Sequence, residues 1–336
     1  MNQNFLKNKI ILITGGTGSF GHSFVERILN MKVKVKKLII FSRDELKQYN
    51  MEKIYSERKY PQLRYFIGDI RDKERLSRAF DGVEIVVHAA ALKHVPRGES
   101  DPMEFIKTNI YGAQNVIEAS LANNVKKVIA LSTDKASSPI NLYGATKLCS
   151  DKLFVAANNI KGSKNILFSI VRYGNVFGSR GSIVPYFIQQ KKKKIITITH
   201  KDMTRFNINL EDSVSMVLWA IKNAKGKEIF VPKLPSYKVV DLAKAICSKS
   251  KIKFIGIRAG EKIHEDMITQ PDAMNTVDLG KYYAVLPDQK SILQKYKNAK
   301  KVSSDFSFNS GNNENFLSQE KLRKEIDRLT KSLSFS

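Results

Sequence analysis

A glycine-rich turn between a strand and a helix constrains the fold of this chain more than any other feature. Residues 9–14 form a short apolar run typical of a strand, and GGTGSFG at 15–21 leads into an amphipathic helix predicted to end near residue 31. Gly15 permits the tight turn, Gly18 lets a phosphate approach the backbone, and Gly21 lets the helix pack on the strand. The positive end of the helix dipole would face that phosphate. A glycine-rich turn without a ligand is the alternative.

The alternation of strands and helices predicts the rest of the fold. Six apolar segments separated by helical patterns indicate an α/β protein with a doubly wound parallel sheet of the Rossmann type. The predicted strands are residues 9–14, 37–41, 63–67, 84–89, 128–131 and 166–172. Such sheets bind dinucleotides at the turn after the first strand. The contacts predicted there are Gly15, Thr17, Gly18, Ser19, Phe20 and Gly21.

The end of the second strand bears on the choice of dinucleotide. An NAD enzyme would carry Asp or Glu there to bind the ribose hydroxyls. This chain has Ser42 and Arg43, then Asp44, with Lys47 one turn later, and the two cations suit a 2′-phosphate. We therefore expect NADP rather than NAD, in contact with these four residues. Surface ion pairs of Arg43 and Lys47 with Asp44 and its neighbours are the alternative.

The third and fourth strands end in further candidates. Asp69, which precedes Ile70, can accept a hydrogen bond from an adenine amino group, or else cap the helix that follows. Ala89 and the small residues after it would let the backbone lie against the cofactor, and Lys93 is placed for a phosphate. His94 is a candidate base, with a structural histidine as the alternative.

A long helix is predicted over residues 101–124, with Pro102 in its first turn. Asn109 lies inside this helix. Its amide offers donors and an acceptor, so a buried Asn109 can order neighbouring loops. A solvent-facing asparagine is the alternative.

The stretch 132–147, STDKASSPINLYGATK, carries the candidate chemistry. Tyr143 and Lys147 are four positions apart at the start of a predicted helix and so share a face. A nearby ammonium lowers the pKa of a tyrosine from its reference of about 10, which would make Tyr143 an acid or base near neutral pH. Three polar residues follow the strand where open α/β sheets bind ligands, namely Thr133, Asp134 and Lys135. An ordinary exposed turn before a capped helix is the alternative.

After residue 181 the pattern loosens, and a smaller α+β lobe is expected to close over the substrate. Glycines beside Asn175 in the loop 174–181 are typical of a loop shaped around a polar ligand. Arg205 and Arg258 can each clamp a diphosphate with two hydrogen bonds, while surface ion pairs are the alternative. A last strand at 228–231 is expected to return to the main sheet.

The length of 336 residues predicts about two domains. The predicted cofactor domain is residues 1–178 with a return at about 206–232, and the substrate lobe is 179–205 with 233–336. No run approaches the ~18 apolar residues of a membrane span. The N-terminal apolar run ends in the glycine-rich turn without a cleavage-like site, so no signal peptide is expected.

Cysteine usage and charge bear on location and partners. Cys149 and Cys247 are far apart, which predicts reduced thiols in a reducing cytoplasm. The net charge of +25, from 57 Lys+Arg against 32 Asp+Glu, is compatible with nucleic acid or an anionic membrane. No nucleic-acid motif accompanies the lysine cluster at 191–194, and a phosphate-rich small ligand explains the charge as well. We expect no nucleic-acid, membrane or metal partner.

Eight motifs, in order, resemble those of one family. They are GGTGSFG, SRDELKQ, FIGDIRDKERL, AAALKHVP, STDKASSPINLYGATKL, RYGNVFGSRGS, MTRF and GIRAGEKIHE. The resemblance extends from residue 9 to about residue 313. It is to the inverting UDP-N-acetylglucosamine 4,6-dehydratases, which are extended short-chain dehydrogenase/reductases. That family acts first in making pseudaminic acid, a sugar attached to bacterial flagellins.

The resemblance implies a hydro-lyase that uses NADP and regenerates it. Tyr143, helped by Lys147, would remove the C4 hydroxyl proton as hydride leaves C4, while Thr133 would hydrogen-bond the C4 oxygen. Lys135 would remove the C5 proton, and Asp134 would protonate the departing C6 hydroxyl. Hydride then returns to C6, and reprotonation of C5 from the opposite face inverts that centre. A lysine base needs a lowered pKa, for which burial and neighbouring cations are the expected cause.

The resemblance also implies further contacts and partners. The product is expected to pass to a PLP-dependent aminotransferase, and the chain to form a homo-oligomer. Cofactor contacts implied in addition are Val176, Tyr143 and Lys147. The implied UDP-sugar contacts are Lys93, Asn175, Ser179, Arg180, Thr199, Arg205, Arg258 and Glu261.

Two positions distinguish this branch from its relatives. Retaining 4,6-dehydratases usually carry Asp-Glu where this chain has Asp134 and Lys135, and relatives that make other deoxysugars typically have Met in place of Tyr143. A related UDP-sugar epimerase, a C5-retaining dehydratase for surface polysaccharide, or a nucleotide-sensing scaffold are the alternatives. Departures from the family pattern at 97–100 and Asn207 touch none of the proposed acid/base residues.

Overall fold

Strands assemble into one large sheet and three two-stranded sheets in this computed structural model, which describes residues 3–179, 181–191 and 194–333. The strands within these ranges are β1 (Ile10–Thr14), β2 (Lys37–Ser42), β3 (Leu63–Ile67), β4 (Ile85–His88), β5 (Lys127–Thr133), β6 (Leu167–Tyr173), β7 (Ile195–Ile198), β8 (Thr204–Phe206), β9 (Ile229–Pro232), β10 (Ser236–Lys238), β11 (Lys251–Phe254), β12 (Asp266–Ile268), β13 (Thr276–Asp278), β14 (Tyr282–Val285), β15 (Lys300–Lys301) and β16 (Phe308–Asn309).

The first six strands form the centre of the large sheet. They are all parallel, in the order β3-β2-β1-β4-β5-β6. Strands β1 and β4 to β6 are almost wholly buried because helices cover both faces of the sheet, which is why their sequences are nearly continuous apolar runs. The predicted doubly wound α/β fold is confirmed.

Later strands widen this sheet to ten. Strand β9 pairs in parallel with β6, as predicted for residues 228–231. Strands β14, β13 and β15 then follow in antiparallel pairing. Residues 276–301, which the predicted division places in the substrate lobe, therefore contribute three strands to the large sheet.

The helices of the described residues connect and cover these strands. They are α1 (Ser19–Leu29), α2 (Glu45–Ile54), α3 (Lys73–Ala79), α4 (Val95–Ser100), α5 (Pro102–Phe105), α6 (Gly112–Ala122), α7 (Leu142–Ile160), α8 (Ile183–Lys191), α9 (Leu210–Asn223), α10 (Val239–Ile246), α11 (Gln270–Ala273), α12 (Gln289–Lys295) and α13 (Gln319–Leu333). Short 3₁₀ turns lie at Asn4–Leu6 and Asp134–Ala136.

Three apolar clusters hold these layers together. Side chains of α1 and α9, such as Phe24 and Val217, pack on one face of the large sheet. Side chains of α3, α6 and α7, such as Phe154, pack on the other. A third cluster joins α8, α10 and α13 around Phe187 and Leu242, outside the sheet. The two larger clusters fix the carboxyl ends of the parallel strands, where the site lies.

The helix predicted over residues 101–124 is interrupted. It consists of α5, a π-helical turn at Ile106–Tyr111 and then α6. The wider turn contains Asn109, whose side chain bonds to a neighbouring loop, and π-turns inside helices often lie at functional sites. Regular 3.6-residue periodicity gives no signal for such a turn.

Two findings bear on membrane association and thiol state. None of the helices described is long and apolar enough to cross a membrane. Neither Cys149, which is exposed, nor Cys247 is part of a disulfide.

Candidate active site

A cavity of about 900 Å³ runs along the carboxyl ends of the central parallel strands. Because these ends meet at one edge of the sheet, residues distant in sequence line one space. The predicted residues that line it are Gly15, Thr17, Gly18, Ser19, Phe20, Gly21, Ser42, Arg43, Asp44, Lys47, Asp69, Ile70, Ala89, Lys93, Thr133, Asp134, Lys135, Tyr143, Lys147, Asn175, Val176 and Ser179.

The glycine-rich turn forms one end of this cavity. Gly15 has a positive φ of 68°, and a Cβ on it would lie 2.8 Å from the backbone of Ala90. A Cβ on Gly21 would lie 2.1 Å from the carbonyl oxygen of Gly16. Helix α1 begins at Ser19, so its free amides face this space. The turn therefore fits the diphosphate of a dinucleotide, which needs close backbone approach and helix amides.

The end of β2 has its polar groups paired with one another. Asp44 caps α2 by accepting from the Lys47 amide at 3.0 Å, and its carboxylate lies 2.6 Å from Lys47 Nζ. Arg43 lies 3.8 Å from the carboxylate of Asp69. The buried Ser42 hydroxyl accepts a hydrogen bond from Gln48. The Lys47–Asp44 pair is the kind that the alternative interpretation expects, whereas Arg43 pairs with a residue that follows another strand. Both cations remain about half exposed at the cavity wall.

The residues after β3 and β4 are placed as follows. Asp69 does not cap the next helix, because Asp72 does, by accepting from the Arg75 amide. Asp69 instead accepts from the amide and guanidinium of Arg71. His94 is exposed at the N-cap position of α4, without a side-chain capping bond. It lines the cavity.

Asn109 orders the cavity wall as predicted. Its amide oxygen accepts from the Leu92 amide at 2.9 Å, and its Nδ2 donates to the Leu92 carbonyl at 2.9 Å. The same Nδ2 donates to the Thr146 hydroxyl at 3.0 Å. Because Thr146 lies on α7, Asn109 ties the loop after β4 to the helix that carries Tyr143 and Lys147.

The strand end and helix start at 127–147 bring the candidate acid/base groups together. Asn141 caps α7 by accepting from the Gly144 amide at 2.8 Å. Tyr143 and Lys147, one turn apart on this helix, are both buried, as their shared face predicts. The Thr133 hydroxyl lies near the Tyr143 phenol and donates to Asp134 Oδ1 at 3.0 Å. Lys147 Nζ donates to the Leu131 carbonyl at 2.8 Å, which holds the helix against β5.

The expected fall in the tyrosine pKa is wrong for this arrangement. Burial raises the pKa of Tyr143 to about 12, although Lys135 and the nearby Thr133 oppose that rise. Lys147 has a lowered pKa because it is buried too. Lys147 is buried and its ammonium donates to a carbonyl. It therefore stabilises the Tyr143 phenolate less than a lysine on an exposed helix face would.

Lys135 lies between two carboxylates. Its Nζ is 3.0 Å from Asp134 Oδ1 and 3.2 Å from Glu265 Oε1. Burial alone would lower the pKa of Lys135, but the two carboxylates raise it above its usual value. The expectation of a lowered lysine pKa is therefore wrong, because the two carboxylates outweigh both burial and the nearby cation of Arg205. Burial, aided by Glu265, raises the pKa of Asp134, which favours its acid form.

Glu265 is the residue that sequence reasoning missed. It is 3% exposed, and Arg205 Nε lies 3.6 Å from its Oε1. Although burial would raise the pKa of Glu265, Lys135 and Arg205 hold it below its usual value. Its one sequence signal is its place at the end of GIRAGEKIHE, a motif already singled out for Arg258 and Glu261. Nothing in the spacing shows that it reaches a lysine 130 positions away.

A second cavity of about 540 Å³ adjoins the first and shares Lys135 and Asn175 with it. Arg205 is buried and pairs with Glu261 at 3.9 Å. Arg258 is exposed. The predicted substrate residues in the second cavity are Asn175, Thr199, Arg205, Arg258 and Glu261. Lys93 and Ser179 line the first cavity only, and Arg180 lies outside the described residues.

Comparison with known proteins places the chain in a family. The family described as polysaccharide biosynthesis protein matches residues 11–287. The chain belongs to this family. A protein of Campylobacter jejuni subsp. jejuni serotype O:2, named UDP-N-acetylglucosamine 4,6-dehydratase (inverting), is 53% identical over 95% of this chain and 97% of its own length. A protein of Rickettsia canadensis named UDP-glucose 4-epimerase is 43% identical over 85% of each.

Solved structures agree with this placement. Pen from Bacillus thuringiensis superposes with a TM-score of 0.88 at 37% identity, over 97% of this chain and 99% of that one. DesIV, a dTDP-glucose 4,6-dehydratase of Streptomyces venezuelae solved with NAD bound, shares the fold at 20% identity, with a TM-score of 0.69 over 96% and 97% of the two chains. The resemblance found in the sequence motifs is thereby confirmed, as is the expectation of an enzyme of the dehydratase class.

Proposed function

We propose that this enzyme dehydrates UDP-N-acetylglucosamine across C4 to C6 with inversion at C5. The product would be UDP-2-acetamido-2,6-dideoxy-β-L-arabino-hex-4-ulose. The observation that carries the proposal is the Asp134–Lys135 pair, 3.0 Å apart in the cavity wall beside Thr133 and Tyr143. An acid and an amine at one strand end match the need to protonate a leaving hydroxyl and to handle the C5 proton.

The chain's own residues would divide the work as follows. A bound nicotinamide dinucleotide supplies hydride acceptance at C4 and hydride return at C6. Tyr143 takes the C4 hydroxyl proton, while the neighbouring Thr133 orients the C4 oxygen. After passing a proton to Asp134, Lys135 takes the C5 proton as a neutral amine. Asp134, whose pKa is raised by burial, gives its proton to the departing C6 oxygen. Lys147 keeps α7 and its tyrosine seated on β5.

For the cofactor we propose NADP. Arg43 and Lys47 offer two cations at the end of β2, on the cavity wall, where a 2′-phosphate would lie. Their present partners, Asp69 and Asp44, are exposed enough to be exchanged for a phosphate. Losing a charge-assisted bond costs about tenfold or more in affinity. Calorimetry is therefore expected to show at least that preference for NADP over NAD, and Arg43→Ala should weaken NADP but not NAD.

The remaining expectations extend this proposal. The predicted cofactor domain, residues 1–178 with 206–232, would bind the dinucleotide. Residues around the second cavity would bind the UDP-sugar. The cationic side chains Lys93, Arg180, Arg205 and Arg258 would meet the diphosphate. The keto-sugar product needs amination, which a PLP-dependent aminotransferase would supply on the way to pseudaminic acid for flagellin. A homo-oligomer in the cytoplasm is the expected form.

A UDP-sugar 4-epimerase is the second candidate, because relatives at 43% identity carry that name. An epimerase would use Tyr143 and the dinucleotide but would not eliminate water. It would have no need for the Asp134–Lys135 pair.

One experiment separates these functions. Purified protein is incubated with UDP-N-acetylglucosamine in deuterated water and followed by proton NMR, beside Lys135→Ala and, as control, the exposed Lys201→Ala. A new C6 methyl signal, deuterium at C5 and an L-arabino ring are expected for wild type and Lys201→Ala. A D-xylo ring would show retention at C5, and a C4 epimer without a methyl would show the epimerase.

A further inference from the structure

We propose that Glu265 is a positioning residue that holds Lys135 and keeps one proton shared within the Asp134–Lys135 pair during the C5 step. This inference rests on the proposed function and deepens it. Glu265 Oε1 lies 3.2 Å from Lys135 Nζ and 3.6 Å from Arg205 Nε. Its other oxygen, Oε2, is buried and has no hydrogen-bond partner among the described residues.

The backbone of Glu265 is fixed independently of its carboxylate. Its amide donates to Ser310 Oγ at 2.8 Å, and the Ser310 amide donates back to the Glu265 carbonyl at 2.8 Å. Ser310 Oγ is also bonded to Thr204 Oγ1 at 2.8 Å. Glu265 is therefore held between two strand ends, at β8 and β16, independently of its contact with Lys135.

Two hydrogen bonds also tie the segment that carries Glu265 to the chain between β5 and α7, which contains Asp134 and Lys135. Lys262 Nζ donates to the Ser137 carbonyl at 2.8 Å. Asn141 Nδ2 donates to the Gly260 carbonyl at 2.8 Å. These bonds do not involve the Glu265 side chain. Replacing that side chain with an isosteric amide is thus expected to remove charge while leaving the segment in place.

The charges around Lys135 explain what Glu265 does. The titratable and charged groups that face Lys135 and Glu265 are Asp134, Tyr143, Arg205, Tyr237, Glu261 and Lys262. Transfer of one proton from Lys135 Nζ to Asp134 Oδ1 breaks an N–H bond, forms an O–H bond and leaves the net charge unchanged. It yields the neutral amine needed at C5 and the acid needed at C6. The nearby anion of Glu265 keeps the shared proton from being lost to solvent as pH rises.

The test compares Glu265→Gln with wild type in the pH dependence of kcat and KM for methyl formation. Loss of the anion is expected to move the alkaline limb of kcat to lower pH by about one to three units, with KM changed less than kcat. Glu265→Asp, which keeps the charge at a greater distance, should shift the limb by less in the same direction. Glu228→Gln is the matched control, since Glu228 is a fully buried carboxylate bonded to Ser169 and Tyr296 in the large sheet.

A second readout needs no turnover. The ¹⁵N signal of Lys135 Nζ, assigned by comparison with Lys135→Arg, is titrated in the ligand-free protein. Glu265→Gln should lower the pH at which Lys135 deprotonates, and Glu228→Gln should not. An unchanged limb together with an unchanged Lys135 titration would overturn the inference. If Glu265→Gln does not fold, an unshifted Glu265→Asp overturns it. If wild type makes no methyl, the proposed function fails while the titration still decides the role of Glu265.

Discussion

The glycine-rich turn and the surroundings of Lys135 lie in one cavity but are specified in different ways. At the turn, Gly15 and Gly21 act through absent side chains, and the motif itself shows where the backbone must come close. At Lys135, two of the charged neighbours, Glu265 and Arg205, lie 130 and 70 positions further along the chain. A local motif thus predicts shape, whereas the charge state of a buried group depends on which distant segments meet it.

The largest effect is expected at the turn, from Gly21→Ala. The added Cβ would lie 2.1 Å from a backbone carbonyl, which cannot move aside as a side chain can. We expect a loss of about 3 kcal/mol in the free energy of unfolding, the upper end for overpacking, and loss of dinucleotide binding. Urea unfolding and calorimetry measure both. Gly98→Ala is the control, because a Cβ there would make only ordinary contacts of 3.4 Å or more. Equal losses in the two variants would show that the glycine-rich turn tolerates a Cβ no less well than this control position.

An intermediate effect is expected at His88, beneath the turn. The Thr14 hydroxyl accepts from the Ala89 and Ala90 amides, so its own hydrogen is left to donate to His88 Nδ1 at 2.8 Å. Burial lowers the pKa of His88 from 6.5 to about 3. Between these values the unfolded chain binds the extra proton, so the stability from His88 is present above pH 6.5 and falls as pH drops toward 3.

His88→Asn should remove this slope. Wild type is expected to lose about 2 kcal/mol of unfolding free energy between pH 7 and pH 5 through His88, and the variant to lose correspondingly less. Urea titrations at the two pH values measure the difference. The exposed His94→Asn should keep the wild-type slope. A His88→Asn slope as steep as that of wild type would contradict the buried neutral histidine.

The smallest effect is expected where the two regions are joined, at Asn141→Ser. Serine can still cap α7, but it is too short to donate to the Gly260 carbonyl. Loss of one hydrogen bond should cost about 1 kcal/mol and raise KM for the UDP-sugar a few-fold without changing dinucleotide affinity. Steady-state kinetics and calorimetry check this. A parallel fall in dinucleotide affinity would mean that the two regions are not separable as described.

Sequence reasoning predicted the parts of the molecule that local patterns encode. The six parallel strands, the return of residues 228–231 to the sheet and the loop-ordering role of Asn109 follow from apolar runs and from an amide inside a helix. The shared face of Tyr143 and Lys147 follows from helical periodicity. Roles assigned to the site residues stay predictions.

Other parts could not be predicted in this way. The π-helical turn at Ile106–Tyr111 has no periodic signature, and strands of two to four residues such as β13 and β15 are too short to show one. The pKa directions of Tyr143 and Lys135 were predicted wrongly because both depend on burial, and that of Lys135 depends also on the distant Glu265. The spacing of residues along the chain reveals neither burial nor contact with a distant residue.

The ten-stranded sheet also has a consequence for behaviour at high concentration. A sheet ends in unpaired amides and carbonyls that can recruit a strand from another molecule. Here one border is β15, only two residues long and made of the exposed Lys300 and Lys301. The other is β3, which contains the exposed Arg64 and whose Phe66 ring is covered by Arg75. Short length and repelling cations at the borders discourage fibrous aggregation through sheet extension.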